Sequence, residues 1–277
     1  MHGLALQATH KVVETKLSHQ ASECLLAVKG ITVRFGGIVA LDGVSFEVPK
    51  NKVCGLIGPN GAGKTTLFNC LSRLYAYQEG DLLFEGRSMT DTPVHHMAEI
   101  GIGRTFQNLA MFKTMSVRHN VMVGAHARSQ AGFLANMLKL KSAKDEESEM
   151  HRRADEVLAY LKLTEVADRP AGELPFGLQK RVEFGRALAS QPKLLLLDEP
   201  AAGLNHEELH ELGELIKDVR DRMGITVLLV EHHMSLVMSV SDWIVALNFG
   251  KKIAEGTPEH IQKHPEVIRA YLGGEAA

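Results

Sequence analysis

The sequence predicts an α/β fold: a mainly parallel sheet with helices on both faces, antiparallel strands on its N-terminal side, and an inserted α-helical subdomain. Three observations predict it. Short apolar runs such as "KVCGLI", "KLLLLD" and "ITVLLVE" alternate with longer helical stretches, as strands buried on both faces of a parallel sheet do. The earlier segments "LLAVKGITVRF" and "VSFEV" instead carry alternating or β-branched apolar residues with glycine punctuation, the texture of half-buried strands. The span from about Val117 to Ala167 reads as helical throughout.

Taken in order, residues 1–24 show no clear period and read as a flexible N-terminal extension. A single folded domain is expected over residues 25–272, with a short tail at 273–277. "KVCGLIG" is a strand running into a glycine loop, and "KTTLFNCLSRL" is the helix after it. Residues 81–110 give further short strands and turns. The helical subdomain is expected at about 112–175; its clearest stretch, "SAKDEESEMHRRADEVLAYLKL", has an acidic start suited to a helix N-terminus and apolar Val157, Leu158 and Leu161 at helical spacing. The charge run Lys144–Glu149 reads as a solvated face. After Leu174 a helix ("LQKRVEFGRALAS"), a strand, a second helix ("NHEELHELGELIKDVRDRM") and a last apolar strand complete the alternation.

Lys+Arg total 31 against 33 Asp+Glu, a near balance that argues against nucleic acid as the main partner, since such binding calls for a basic excess. The three cysteines, Cys24, Cys54 and Cys70, are odd in number and none is at metal-ligand spacing from another, so neither a disulfide framework nor a zinc site is expected, and a reducing compartment is the simple reading. No apolar run approaches the ~20 residues needed to cross a bilayer. If the protein works at a membrane, another chain must anchor it.

Gly58-Pro59-Asn60-Gly61-Ala62-Gly63-Lys64-Thr65 fits G-x-x-x-x-G-K-[ST], and Thr66 continues it. Glycines let such a loop fold around phosphates with its N–H groups pointing inward, and the following helix adds its positive end. Lys64 is expected to reach the β- and γ-phosphates and the Thr65 hydroxyl to ligate Mg²⁺. About 130 residues further on, "LLLLDE" ends in Asp198 and Glu199. An apolar strand ending in an acid is how phosphate-loop ATPases hold their metal. Asp198 is therefore expected to bind Mg²⁺ through water and Glu199 to polarise the attacking water as general base. The fold expected is that of a phosphate-loop NTPase core binding ATP.

"RTFQN" supplies Gln107, "LPFGLQKRVEFGRALA" lies just before the acidic strand, "AAGLN" follows it, and "LLVEHHM" supplies His232. In this order and spacing the chain from about residue 25 to its end resembles the nucleotide-binding subunit of ABC transporters. The resemblance implies that Gln107 senses Mg²⁺ and the attacking water beside the membrane partner. It implies that His232 contacts the γ-phosphate, that Ala202–Asn205 cross a dimer interface, and that Phe35 stacks on adenine. From the residues alone the lesser alternatives are that Phe35 is a core aromatic and His232 a structural histidine, while His233 has no expected chemistry.

The segment Leu174-Pro175-Phe176-Gly177-Leu178 departs from the family's common LSGGQ: Pro175 replaces the serine and Phe176 a glycine. The direct serine contact to the partner's γ-phosphate cannot form. Gly177, and a helix starting near Leu178, can still present backbone N–H groups.

This departure, with "EPAAGLN", "EHHMSLVMSVSDWIVALNFGKKIAEGTPEHI" and "HPEVIRAYLGG", resembles the ATPases of branched-chain amino acid importers; relatives for urea, amides or lipopolysaccharide export share much of it. The resemblance implies an ATP-hydrolysing subunit at the cytoplasmic face of the membrane. Its partners would be two hydrophobic permease subunits, a second ATPase subunit that is a paralogue, and, indirectly, a solute-binding protein. Two such chains sandwich two ATP molecules, so one chain alone should hydrolyse ATP slowly. The competing readings are a soluble ATPase acting on ribosomes or nucleic acid, which lacks support in a chain with one phosphate loop and no sustained heptads, and a nucleotide-binding regulator without turnover.

Overall fold

The computed structural model describes residues 24–106, 109–126 and 141–272. The expected extension at 1–24, apart from Cys24, and the tail at 273–277 lie outside the described residues, as does Gln107. The first strand, β1 (Cys24–Phe35), begins one residue before the expected domain boundary.

β1 pairs antiparallel with β2 (Ile38–Pro49) through a two-glycine turn, Gly36–Gly37. β3 (Val53–Ile57) follows, buried along its whole length, and leads through the glycine loop into α1 (Lys64–Leu71). β4 (Glu79–Phe84) and β5 (Arg87–Ser88) complete a four-stranded antiparallel sheet ordered β2-β1-β4-β5. A short helix α2 (Met97–Ile100) precedes β6 (Ile102–Arg104). The helical block supplies α3 (Val117–His126) and α4 (Lys141–Tyr160). The helix α5 (Phe176–Ala189) begins two residues earlier than the sequence suggests, with Pro175 at its N-cap, whose carbonyl accepts the Gln179 N–H at 3.0 Å. Then come β7 (Leu194–Asp198), α6 (His206–Met223), β8 (Thr226–Val230), α7 (Met234–Val240), the hairpin of β9 (Trp243–Asn248) and β10 (Lys251–Gly256), and two C-terminal helices, α8 (Pro258–Gln262) and α9 (Pro265–Leu272).

The second sheet has six strands ordered β10-β9-β3-β8-β7-β6. Every neighbouring pair is parallel except β9–β10. Its apolar runs are explained by burial on both faces. Leu194 and Leu196 of β7 join α1, α2 and the antiparallel sheet in one core, while Leu195 and Leu197 join α3, α4, α5 and α6 in another. The alternation of Cβ directions along a strand divides a uniform Leu run between two cores. A third, smaller cluster joins Ile57 of β3 to Val237, Ile244, Ala246, Ile261 and Val267. Start and stop signals are readable in α6: Asn205 accepts N–H bonds from Glu207 and Glu208, Glu208 returns the bond to the Asn205 amide, and Gly224 closes the helix in the left-handed region at φ +64°.

Candidate active site

Parallel strands aim their carboxyl ends one way, and the crevice there is where α/β sheets bind ligands. The loop after β3, Asp198 and Glu199 at the end of β7, and His232 after β8 are all carried there by one set of parallel neighbours.

The β3–α1 loop is shaped by close approaches. A Cβ on Gly58 would lie 2.3 Å from the Leu247 carbonyl oxygen, and one on Gly63 would lie 2.7 Å from that of Ala40; both glycines have positive φ (154° and 99°). Only glycine fits such positions. Ala62 N–H closes a turn on the Pro59 carbonyl (3.1 Å), and Gly250 N–H binds the Ala62 carbonyl (3.1 Å). Pro59 is half-buried, Asn60 and Gly61 are exposed, and in the first turn of α1 Thr65 is exposed and Thr66 half-buried. Lys64 is 5% exposed. Its Nζ donates to the carbonyls of Gly58 (2.6 Å) and Pro59 (3.0 Å). Burial pushes its pKa down, and the charge of Glu199 acts against that shift.

Glu199 is a non-glycine residue at φ +48°, a conformation that costs of order 1–3 kcal/mol and persists where the surroundings over-determine it. Its N–H binds the Val230 carbonyl at 2.9 Å, so the turn out of β7 is pinned to β8. The strained turn leaves the Glu199 carboxylate 2.5 Å from His232 Nε2. A carboxylate only accepts, so Nε2 carries the proton.

Asp198 is buried at 4% exposure. Burial raises its pKa, and the adjoining Arg104 opposes the rise. Arg104 was not anticipated from the sequence. Its guanidinium donates to Asp198 Oδ2 (2.7 Å), Asn69 Oδ1 (2.9 Å) and Ser72 Oγ (2.7 Å), and it stands 5.0 Å and 5.8 Å from the ring centroids of Phe106 and Phe68.

Glu231 was also missed. It is 2% exposed. Its carboxylate accepts Ala201 N–H (2.6 Å), His232 N–H (2.9 Å), His233 N–H (3.3 Å) and His233 Nδ1 (3.2 Å). One carboxylate thus ties the segment after Glu199 to the one carrying His232, and His233 is an anchor for it. We expect Glu231→Gln to lower ATP turnover about 10²-fold, the size of effect a ~1 Å misplacement produces, because the amide NH₂ would face N–H donors. Steady-state ATPase kinetics alongside ATP binding check this: turnover should fall and affinity should hold.

Phe35 is 49% exposed and meets the exposed Tyr75 edge-on at 5.5 Å, so it is not a core aromatic. It closes the hairpin whose second strand carries Ala40 against Gly63, which places an aromatic surface beside the loop. Gly177 lies half-buried in the first turn of α5, where N–H groups have no intrahelical partner. Pro175 supplies no side-chain cap, and the Glu208 carboxylate reaches this turn instead: a Cβ on Gly177 would meet its Oε1 at 2.1 Å. An anion there suits the helix dipole. Phe176 packs over Gly203, and Lys180 Nζ stands 5.7 Å from its ring. Glu183 of the same helix accepts Phe106 N–H at 3.0 Å, and Arg186 donates to the Ala110 carbonyl, so α5 holds both sides of the segment around position 107.

Comparison with known proteins gives the same architecture. A model of the ABC transporter family matches residues 41–202, and one described as branched-chain amino acid ATP-binding cassette transporter matches residues 251–277. The high-affinity branched-chain amino acid transport ATP-binding protein BraF of Pseudomonas aeruginosa is 45% identical over 91% of this chain and 99% of its own length. The corresponding protein LivG of Escherichia coli is 44% identical over the same shares. An ATP-binding cassette of an ABC transporter in its ADP conformation superposes with a TM-score of 0.79 and 35% identity, over 90% of this chain and 99% of that one. A nucleotide-free cassette gives 0.78 and 34%, over 90% and 98%. The chain belongs to the ATP-binding subunits of the ABC transporter family, and it is an ATPase.

Proposed function

We propose that this chain hydrolyses ATP to drive uptake of branched-chain amino acids, working at the cytoplasmic face of a membrane in complex with two hydrophobic permease subunits. The observation that carries it is the gathering of Lys64, Asp198 and the Glu199–His232 contact at the carboxyl ends of neighbouring parallel strands, in a chain whose C-terminal residues match the branched-chain transporter model. Among the described residues no helix is long and apolar enough to cross a membrane, so the permeases supply the anchorage. A second, paralogous ATPase subunit would complete the site on this chain with its own signature turn, the Gly177 turn of this chain would complete the partner's site, and a solute-binding protein would deliver the amino acid.

The donor set fits Mg²⁺. That ion keeps most of its shell as water and substrate phosphate and takes one or two protein oxygens; here the exposed Thr65 hydroxyl would ligate it and the buried Asp198 carboxylate would hold it through a water. Bound there, the ion would supply charge neutralisation on the phosphates. The chain's own groups do the rest. Lys64 leaves the Gly58 and Pro59 carbonyls for the phosphates, whose negative charge opposes the downward push of burial on its pKa. Phe35 stacks on the adenine, and Gln107 orients the water. The water oxygen bonds to the γ-phosphorus as the bond to the β–γ bridging oxygen breaks, releasing ADP and phosphate. Glu199 takes the water's proton, and His232, relieved of Glu199, turns its Nε2–H toward the γ-phosphate. Closure of the ATPase pair would pull on the permeases beside the segment held by α5.

Purification of the chain from its own membranes tests this reading. It should bring down two hydrophobic subunits, and uptake of leucine, isoleucine or valine in vesicles should require it. Co-purification with ribosomes, or uptake of urea or amides instead, would overturn it.

A further inference from the structure

The C-terminal helix is wired into the phosphate loop. Val267 of α9 is buried at 5% exposure in the cluster that contains Ile57, the residue before Gly58. Tyr271 lies four residues further on, hence on the same face of the helix. Its hydroxyl oxygen accepts the Gly58 N–H at 2.8 Å, across 213 residues of sequence. The Gly58 carbonyl is meanwhile held by Lys64 at 2.6 Å. The first glycine of the loop is therefore gripped at both ends of its residue, by the lysine of the site and by the C-terminal helix. Val267 and Tyr271 also line a shallow apolar groove with Met234 and Met238 of α7, the helix that follows His232 and His233. Burial raises the phenol's pKa, with the Gly58 amide opposing it, so the hydroxyl stays protonated at neutral pH.

We propose that Tyr271 is a positioning residue for the phosphate loop, and that α9 is part of the nucleotide site through the Gly58 amide. A hydroxyl at this point fixes where the loop leaves β3, upstream of every amide that turns toward phosphate. Its removal leaves a buried amide without an acceptor, which the loop relieves by shifting.

The test is Tyr271→Phe in the full chain, which keeps the ring and its packing and removes one oxygen. ATP and ADP affinities are measured by calorimetry in EDTA, and hydrogen exchange is followed in the peptide spanning residues 56–62. Loss of one such bond corresponds to a factor of roughly 5–30. We expect ATP and ADP affinity to fall about five-fold or more and the 56–62 amides to exchange faster. In the assembled ATPase, KM for ATP should rise with kcat held. Lys64→Ala, measured in parallel, reports on the loop itself. If wild-type chain binds ATP and Lys64→Ala does not, while Tyr271→Phe binds within two-fold of wild type with unchanged exchange, the proposal is overturned and the nucleotide site stands. A purely packing role for Tyr271 predicts lower thermal stability at unchanged affinity, and that result overturns it as well. If wild-type chain fails to bind ATP, the nucleotide site itself is wrong and the proposal falls with it.

Discussion

Glu199→Gln should cut ATP turnover by about 10²–10⁴-fold, the share a positioned general base contributes, while ATP affinity stays within a few-fold of wild type. The substitution is nearly isosteric, and the amide oxygen can still accept from His232 Nε2, which lies 2.5 Å from Oε1 in the parent. The left-handed turn at φ +48° is set by the backbone bond to Val230 and by the Ala201–Glu231 bond beyond it, so it should survive. What the amide lacks is a lone pair basic enough to take a proton from water. Lys64 keeps its place in the loop and can still leave its carbonyl partners for the phosphates, so the variant should accumulate with ATP bound. Single-turnover hydrolysis and equilibrium ATP binding, measured on the same preparation, separate the two effects. Undiminished turnover would remove Glu199 from the role of base. A loss of affinity equal to the loss of turnover would make it a binding residue.

The β3–loop–α1 unit was legible in the sequence because its spacing and residue types follow from phosphate chemistry alone. The strand "KLLLLD" was legible because burial on both faces leaves a continuous apolar run. Local cues also sufficed for α6, whose Asn205–Glu208 box and Gly224 stop are written in neighbouring residues. The start of α5 is two residues less legible, since Pro175 at its N-cap offers no side-chain capping signal. The residues missed share one property: their meaning is non-local. Arg104 meets Asp198 across 94 residues, Glu231 reaches Ala201 across 30, and Tyr271 reaches Gly58 across 213. Each is an ordinary residue in an ordinary stretch until the sheet order brings its partner near. A signal existed for Glu231: a carboxylate at the end of the apolar run "ITVLLVE" is hard to bury without donors. For Arg104 the cue was weaker, a lone charge within the short strand of "GIGRT", and for Tyr271 there was none.

Arg104→Met should destabilise the chain by about 3–5 kcal/mol, the cost of stranding one partner of a buried ion pair. Both side chains are almost fully buried, 9% exposed for Arg104 and 6% for Asp198. The methionine would fill much of the space between Phe68 and Phe106, so lost packing is the smaller part. The larger part is an Asp198 carboxylate without its guanidinium partner, still close to the like charge of Glu199, with Lys180 the remaining cation that acts on it. At roughly 2–4 °C per kcal/mol for a domain of this size, the melting point should drop on the order of 10 °C. The pH dependence gives the sign. Burial already lifts the Asp198 pKa above its unfolded value, and Arg104 restrains the lift, so its loss lifts the pKa further. Between the unfolded and folded values the native state binds the extra proton, and stability falls as pH rises through that window. The deficit of Arg104→Met should therefore be largest at neutral pH and shrink as acid protonates Asp198. Arg104→Lys, which keeps a charge but not the fork that reaches Asn69, Ser72 and Asp198 together, should lose less. Arg104→Met combined with Asp198→Asn should recover much of the single-variant loss, because neither charge is then stranded. Urea denaturation of the four chains at pH 5 and pH 7.5 measures all of this. A double variant as unstable as Arg104→Met would show that Arg104 stabilises through its contacts with Phe68, Asn69 and Ser72, with the Asp198 charge incidental.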